Sequence, residues 1–304
     1  MKLVYLLGFF LNLTTAHAQT SGIRLPANPD DNTLLWEVSG NGLTLPSYLF
    51  GTFHLLCKQD ILLSDALKRA ISNSHEVYLE LDLDDPATVM GALMLMNMKD
   101  GKRLKELYTP DQNQRISDYF KDSLNTPITP FQRMKPEFLI ALLYPKMMPC
   151  NTATSVEEGV MQMAKENGKE IKGLETMAFQ ASLFDSIPYD QQAASLLKNI
   201  DSMERSRVYF NLMLEAYTHQ RLDEIEKIVN TPEFGGADNL DILLYNRNKN
   251  WVGQLKTIMK KNPVFTAVGA GHLVGKNGLI SLLRAEGFTV RGLENRKKSL
   301  VISH

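Results

Sequence analysis

The residues best suited to chemistry in this chain are two histidines, each three positions after a glycine: Gly51-Thr52-Phe53-His54 and Gly269-Ala270-Gly271-His272. Each step follows a short apolar run that reads as a strand, Tyr48-Leu49-Phe50 in one case and Val264-Phe265-Thr266-Ala267-Val268 in the other. Both imidazoles are thereby delivered just past a strand's carboxyl end, where open α/β sheets build their sites. Glycine at the head of each step lets the chain turn sharply and leaves room for a ligand. Two imidazoles brought from distant parts of the chain would form halves of one metal site. The spacing alone is a weak motif, and two unrelated loop histidines are the alternative. What favours a shared site is the repeated strand-to-loop setting.

Carboxylates recur at similar places. Glu80 follows the apolar Val77-Tyr78-Leu79, and strand alternation sets Glu80 and Asp82 on one face, opposite Leu79 and Leu81. An acidic group in such a strand is costly to bury unless paired, metal-bound or protonated. Beside His54, Glu80 would serve as a divalent-metal ligand or as a general base toward water. The alternative is that Glu80 and Asp82 mark a solvated strand end. Glu175 and Glu294 also end strands after a Gly-Leu pair, and Glu175 is the better candidate because Glu294 adjoins the basic Arg296-Lys297-Lys298. Arg247 and Asn248 fall in a helix whose other positions are apolar (Leu243, Leu244, Trp251). Arg247 could clamp a carboxylate or polarise a substrate carbonyl, an exposed helix arginine being the plainer reading. His75 and His219 read as structural or exposed. The chain has no Gly-x-Ser-x-Gly elbow, no His-Glu-x-x-His helix and no phosphate loop, so serine-hydrolase, zincin and nucleotide-binding readings lose their usual support.

These side chains need a scaffold, and the pattern supplies an α/β (α+β) one: a central mixed sheet from two βαβ-like halves at the chain ends, with a large helical middle. Leu34 to Val38 and Ser47 to Gly51 flank a turn containing Asn41-Gly42, a β-hairpin pattern. A short helix over Ser64 to Asn73 and a strand over His75 to Leu83 complete the first half. A strand over Val264 to Val268, a helix over Leu279 to Ala285 stopped by Gly287, and a strand over Phe288 to Leu293 repeat that order. Between them lie capping-box forms at Thr109 to Gln112 and Ser155 to Glu158, an apolar helix over Pro136 to Met148 with Pro145 ending or kinking it, and a strand at Glu170 to Leu174. One long helix is expected over Gln191 to Asn230, then a linker containing Gly235-Gly236, then a helix from about Asp241 to Lys260. Met90, Met94, Met96, Met98, Met147 and Met148 read as core packing, with an adaptable apolar groove or a methionine metal site as alternatives.

Lys2, the apolar run Leu3 to Leu13 and Ala16-His17-Ala18 form a secretory signal pattern, with the mature protein starting at Gln19. The run is too short for a stable membrane anchor, so an exported, periplasmic protein is expected. The remaining 19–304 read as one domain with a helical insertion roughly over 86–260. A net charge of −1 gives no electrostatic case for nucleic acid or an anionic membrane. Cys57 and Cys150 are the two cysteines. In an oxidising compartment they would form one disulfide that pins the His54 loop; two free buried thiols, or Cys57 as a metal ligand, are the other readings.

Taken together, Leu34-Leu35-Trp36-Glu37-Val38, Gly51 to His54, Tyr78 to Asp82, Gly173-Leu174-Glu175-Thr176, Arg247-Asn248 with Trp251, and Val268 to Leu273 with Gly275 and Gly278-Leu279 resemble the TraB/GumN family. That family is related to the Tiki proteases, which cleave secreted Wnt ligands. The matching residues appear in family order over nearly the whole chain after the leader. The resemblance implies a divalent-metal-dependent hydrolase with His54, Glu80 and His272 in the active site and Arg247 and Glu175 in support; Gly51, Asp82, Asn248 and Gly269 join as neighbours of those motifs. Manganese, cobalt or zinc would all suit mixed nitrogen and oxygen ligation. The expected activity is that of an exported metallohydrolase, a peptidase, with a peptide or protein substrate. Alternatives are a non-catalytic metal- or haem-binding protein and an esterase on the same centre.

Overall fold

The computed structural model describes residues 31–85, 94–231 and 239–296. The leader over 1–18, Met90, the Gly235-Gly236 linker, Lys297-Lys298 and His304 lie outside the described residues. Among the described residues are eight strands: β1 (Leu35–Ser39), β2 (Ser47–Thr52), β3 (Leu56–Cys57), β4 (Glu76–Leu81), β5 (Ala153–Thr154), β6 (Glu170–Glu175), β7 (Val264–Gly269) and β8 (Thr289–Gly292). Six of them form one mixed sheet in the order β6-β4-β7-β2-β1-β8. β1 and β2 make the expected hairpin, pairing Leu35 with Phe50 and Val38 with Ser47.

β7 sits between β4 and β2 and runs parallel to both, and β4 runs parallel to β6. Its unbroken run Val264-Phe265-Thr266-Ala267-Val268 is buried throughout. A continuous apolar strand of this kind is what a parallel sheet covered on both faces requires. The two terminal halves therefore interleave. The C-terminal half inserts β7 between strands of the N-terminal half and sends β8 to the far edge, antiparallel to β1.

Helices α1 (Asp65–Asn73), α9 (Asn246–Lys261) and α10 (Leu279–Ala285) pack about the sheet. The middle is helical as expected: α2 (Pro110–Leu124), α3 (Pro136–Ala141), α4 (Val156–Glu166), α5 (Met177–Asp185), α6 (Tyr189–Asp201), α7 (Met203–Thr218) and α8 (Leu222–Val229). One contiguous core joins the two regions, from Trp36, Phe50, Phe265 and Trp251 to Leu139, Ile200 and Phe210. Thr109 and Gln112 form a complete capping box on α2. The apolar stretch from Pro136 breaks into α3 and a 3-10 turn at Tyr144–Lys146 containing Pro145.

The single helix expected over Gln191 to Asn230 is instead three helices. Ser202 leaves helical geometry at φ −121°, and Gln220 takes the left-handed conformation at φ 58°. Nothing in the periodicity announces either break, because apolar spacing continues across both. The methionines also divide: Met98 and Met147 are buried, whereas Met94 is 78% exposed and packs in no core. Cys57 and Cys150 are bridged, 93 positions apart, so the free-thiol and ligand readings of Cys57 fall away. Among the described residues no helix is long and apolar enough to cross a membrane.

Candidate functional site

Four parallel strands finish side by side, and each brings one side chain. β6 ends on Glu175, β4 carries Glu80 next to its last residue, β7 leads into the 3-10 turn Ala270–His272, and β2 leads to His54. The register sets Thr52 opposite Gly269 and Leu81 opposite Glu175. Parallel pairing in that order is what gathers residues that lie far apart in the chain.

Gly269 is the point on which Glu80, His272 and His54 converge. A Cβ there would lie 3.4 Å from Glu80 Oε1, 3.7 Å from His272 Cδ2 and 3.9 Å from His54 Nε2. Its amide donates to Glu80 Oε1 at 2.8 Å. At Gly51 a Cβ would stand 3.0 Å from a Leu273 methyl and 3.2 Å from the Ala270 backbone. Neither glycine takes a positive φ. The expected sharp turn is thus not what requires them; close approach is.

His272 is buried, and its orientation follows from Asn248 on α9. Asn248 Nδ2 donates to the carbonyls of His272 (3.2 Å) and Asn277 (2.8 Å), which leaves Oδ1 to accept from His272 Nδ1 at 2.6 Å. The proton is therefore on Nδ1 and the lone pair on Nε2. Nε2 accepts from Arg247 Nη1 at 3.2 Å and lies 3.7 Å from Glu80 Oε1. Burial, which outweighs the attraction of Glu80, holds this imidazole down to about 3, so it is neutral at ordinary pH. Its ring packs on Trp251 with centroids 4.4 Å apart.

His54 has the same arrangement with a different partner. Its Nδ1 lies 2.8 Å from Glu157 Oε1 at the start of α4. A carboxylate only accepts, so Nδ1 carries the proton and Nε2 faces Gly269. The side chain is 75% exposed. Desolvation opposes its charge, but the hydrogen bond and charge of Glu157, with help from Glu80, outweigh it and raise the pKa to about 9.

Arg247 is buried rather than exposed, and it ties the carboxylates together. Its Nη2 donates to Glu80 Oε2 at 2.6 Å and Glu175 Oε2 at 2.8 Å, and its Nε reaches both Glu175 oxygens at 3.1 Å. Nη1 also donates to Leu243 O at 2.9 Å, a carbonyl set by the π-helical turn Asp241–Tyr245 that leads into α9. The guanidinium lies 4.7 Å above the Trp251 ring. Gln180 on α5 bridges Glu80 and Glu175 at 3.3 and 3.2 Å. Burial pushes the Glu80 carboxyl up, but His272, Arg247, His54 and the Gly269 amide outweigh it and bring it to about 2. Because His272 is uncharged above about pH 3, Arg247 is the main cause at neutral pH.

Asp82 lies past the end of β4, where burial and the neighbouring Asp84 and Asp85 raise its pKa. Glu294 is exposed, as are His75, beside Glu76, and His219, against the carbonyl of Glu215. Sequence reasoning misses Glu157 and Gln180. The Ser155 to Glu158 pattern reads as helix capping, and Ser155 does accept from the Glu158 amide at 3.1 Å. The Glu158 side chain, however, turns to the Thr154 hydroxyl, and Glu157 beside it reaches His54. Nothing in the local pattern distinguishes those two glutamates.

A divalent cation suits this donor set. Each imidazole gives its Nδ1 proton to an oxygen and turns Nε2 toward Gly269 or Glu80, the orientation that metal-bound histidines adopt. Among the described residues, however, no three His, Cys, Asp or Glu donors are already gathered around one coordination point. A cation held by His54, Glu80 and His272 would take the His272 Nε2 lone pair that now accepts from Arg247 Nη1.

Comparison with known proteins gives a family for nearly all of the described chain. The model of the TraB/PrgY/gumN family matches residues 34–292. Metalloprotease TIKI2 of Danio rerio is 24% identical, over 95% of this chain and 67% of its own length. Metalloprotease TIKI1 of Danio rerio is 24% identical over 90% of the chain and 65% of its own length, and that of Homo sapiens 24% over 87% and 63%. The chain thus spans about two thirds of the length of these relatives. No solved structure matches.

Proposed function

The chain belongs to the TraB/PrgY/gumN family, and from that membership we propose that it is an exported peptidase dependent on a divalent cation. The observation that carries this reading is the convergence of His54 Nε2, Glu80 Oε1 and the His272 ring on Gly269. The metalloprotease names of its relatives support the reaction class and a peptide or protein substrate. Bound there, manganese, cobalt or zinc would supply Lewis acidity toward a scissile carbonyl and a water of lowered pKa.

The chain's own residues orient that chemistry. Asn248 holds the Nδ1 proton of His272 and Glu157 that of His54, and His54 would bind a cation only after losing the Nε2 proton that keeps it charged below about pH 9. Glu80, held by Arg247 and by the Gly269 amide, is fixed in the place a ligand would occupy. Arg247 and Gln180 hold Glu80 and Glu175 in place. Export is part of the proposal and rests on the signal pattern ending at Ala18.

The test is metal analysis and hydrolysis with purified protein. His54→Ala and His272→Ala should each lose bound metal and cleavage of a peptide library, while wild type loses cleavage with chelator and regains it on adding back one of the three metals. Full metal occupancy in both variants would overturn the shared site. Cleavage of model esters without peptides would move the assignment to an esterase. Amino-terminal sequencing of the exported product should begin at Gln19.

A further inference from the structure

Glu157 takes no part in the proposed chemistry beyond its contact with His54. It is buried, and its Oε2 has no hydrogen-bond partner. The Thr52 hydroxyl lies beside it without reaching hydrogen-bond geometry. Capping of α4 is done by the Ser155 hydroxyl. Favourable charge at the helix amino terminus is already provided by Glu158, which is exposed. A half-satisfied buried carboxylate costs stability that the exposed neighbour avoids. What Glu157 gains in return is the 2.8 Å contact to His54 Nδ1.

The backbones on either side are tied as a pair. The residue before Glu157 donates from Val156 N to Phe53 O, the residue before His54, at 3.2 Å. Beyond His54, β3 pairs with β5, setting Leu56 against Thr154 and Cys57 against Ala153. Lys58 N donates to Thr152 O at 3.1 Å, and the Cys57–Cys150 bridge closes the far end. The histidine loop and the glutamate's helix are thus joined by backbone hydrogen bonds and a disulfide on either side of the contact.

We propose that Glu157 is a positioning residue for His54, holding its Nδ1–H and turning Nε2 toward Gly269. The proposal builds on the reading of His54 as a metal ligand, but the contact itself can be tested without metal. The variants are Glu157→Ala, Glu157→Gln (similar in shape, with one acceptor oxygen) and Glu158→Ala as the neighbouring control. The first readout is a downfield imidazole N–H proton in metal-free protein, assigned by its loss in His54→Ala. It should be present in wild type and Glu158→Ala and absent in Glu157→Ala. The second is zinc affinity by competition with a chelating dye. Outer carboxylates on metal-bound histidines typically carry ~10–100-fold in affinity, so Glu157→Ala should weaken zinc by that factor. Glu157→Gln should fall between it and wild type, and Glu158→Ala should match wild type.

The proposal is overturned if the N–H proton survives in Glu157→Ala, or if both Glu157 variants bind zinc as wild type does. Should Glu157→Ala not fold, Glu157→Gln carries both readouts. If wild type binds no zinc while the N–H proton behaves as expected, the metal reading fails and the positioning role stands.

Discussion

Arg247 is the residue on which the charge balance of the site depends, since its guanidinium holds both Glu80 and Glu175 with its side chain only 9% exposed. Removing it leaves two buried carboxylates without their cation. Arg247→Met should therefore cost about 3–5 kcal/mol of stability in chemical denaturation, the range for breaking a buried pair from one side. The two histidines make a second prediction, with opposite signs. His54 is raised from 6.5 to about 9, so its contribution is complete below about pH 6.5 and is lost as pH climbs through about 9. His272 is depressed from 6.5 to about 3, so its contribution is complete above about pH 6.5 and declines as pH falls toward about 3. Chelator-treated protein should accordingly be most stable near neutral pH, read as the denaturation midpoint against pH. His54→Ala should flatten the alkaline side from about 6.5 to 9 and leave the acid side; an unchanged alkaline slope would refute the His54–Glu157 attraction. Since the His54 ring is largely exposed, solvent screens its pair and the alkaline effect is the smaller one. At this scale His54, Glu80 and His272 are visible in the sequence as types and spacings. Glu157 is not, because a buried glutamate and an exposed one look alike in a helix's first turn.

At the scale of elements, the His54 loop is stapled to α4 by β3, β5 and the Cys57–Cys150 bridge. The double variant Cys57→Ser/Cys150→Ser should lose about 2–4 kcal/mol, the usual range for a native disulfide closing a long loop. Hydrogen exchange at the Lys58 and Val156 amides, whose acceptors are Thr152 O and Phe53 O, should quicken more than at β7 amides. Equal protection with and without the bridge would mean that the short strand pair alone holds the loop. The cysteine count and the compartment implied by the leader make this bridge legible in the amino-acid sequence. The breaks at Ser202 and Gln220 are not legible there, since apolar periodicity reports which face is buried and not whether the backbone stays helical.

At the scale of the whole molecule, metal binding to the folded state alone should raise its stability by mass action, about 2.7 kcal/mol at a hundredfold excess over Kd. Thermal melts with manganese, cobalt or zinc should shift upward for wild type, with the shift abolished by His54→Ala and by His272→Ala alike. A shift surviving in either variant would mean that the two halves do not share the ion. The amino-acid sequence by itself determined the six strands of the main sheet, their apolar character, the histidines and glutamates at their carboxyl ends and the family, because each of these follows from local pattern or ordered motifs. Tertiary structure alone decided that β7 enters between β2 and β4, that Arg247 turns inward to two carboxylates and that Glu157 meets His54. Those outcomes depend on which strands exchange hydrogen bonds across long stretches of chain, and no local run of residues carries that information.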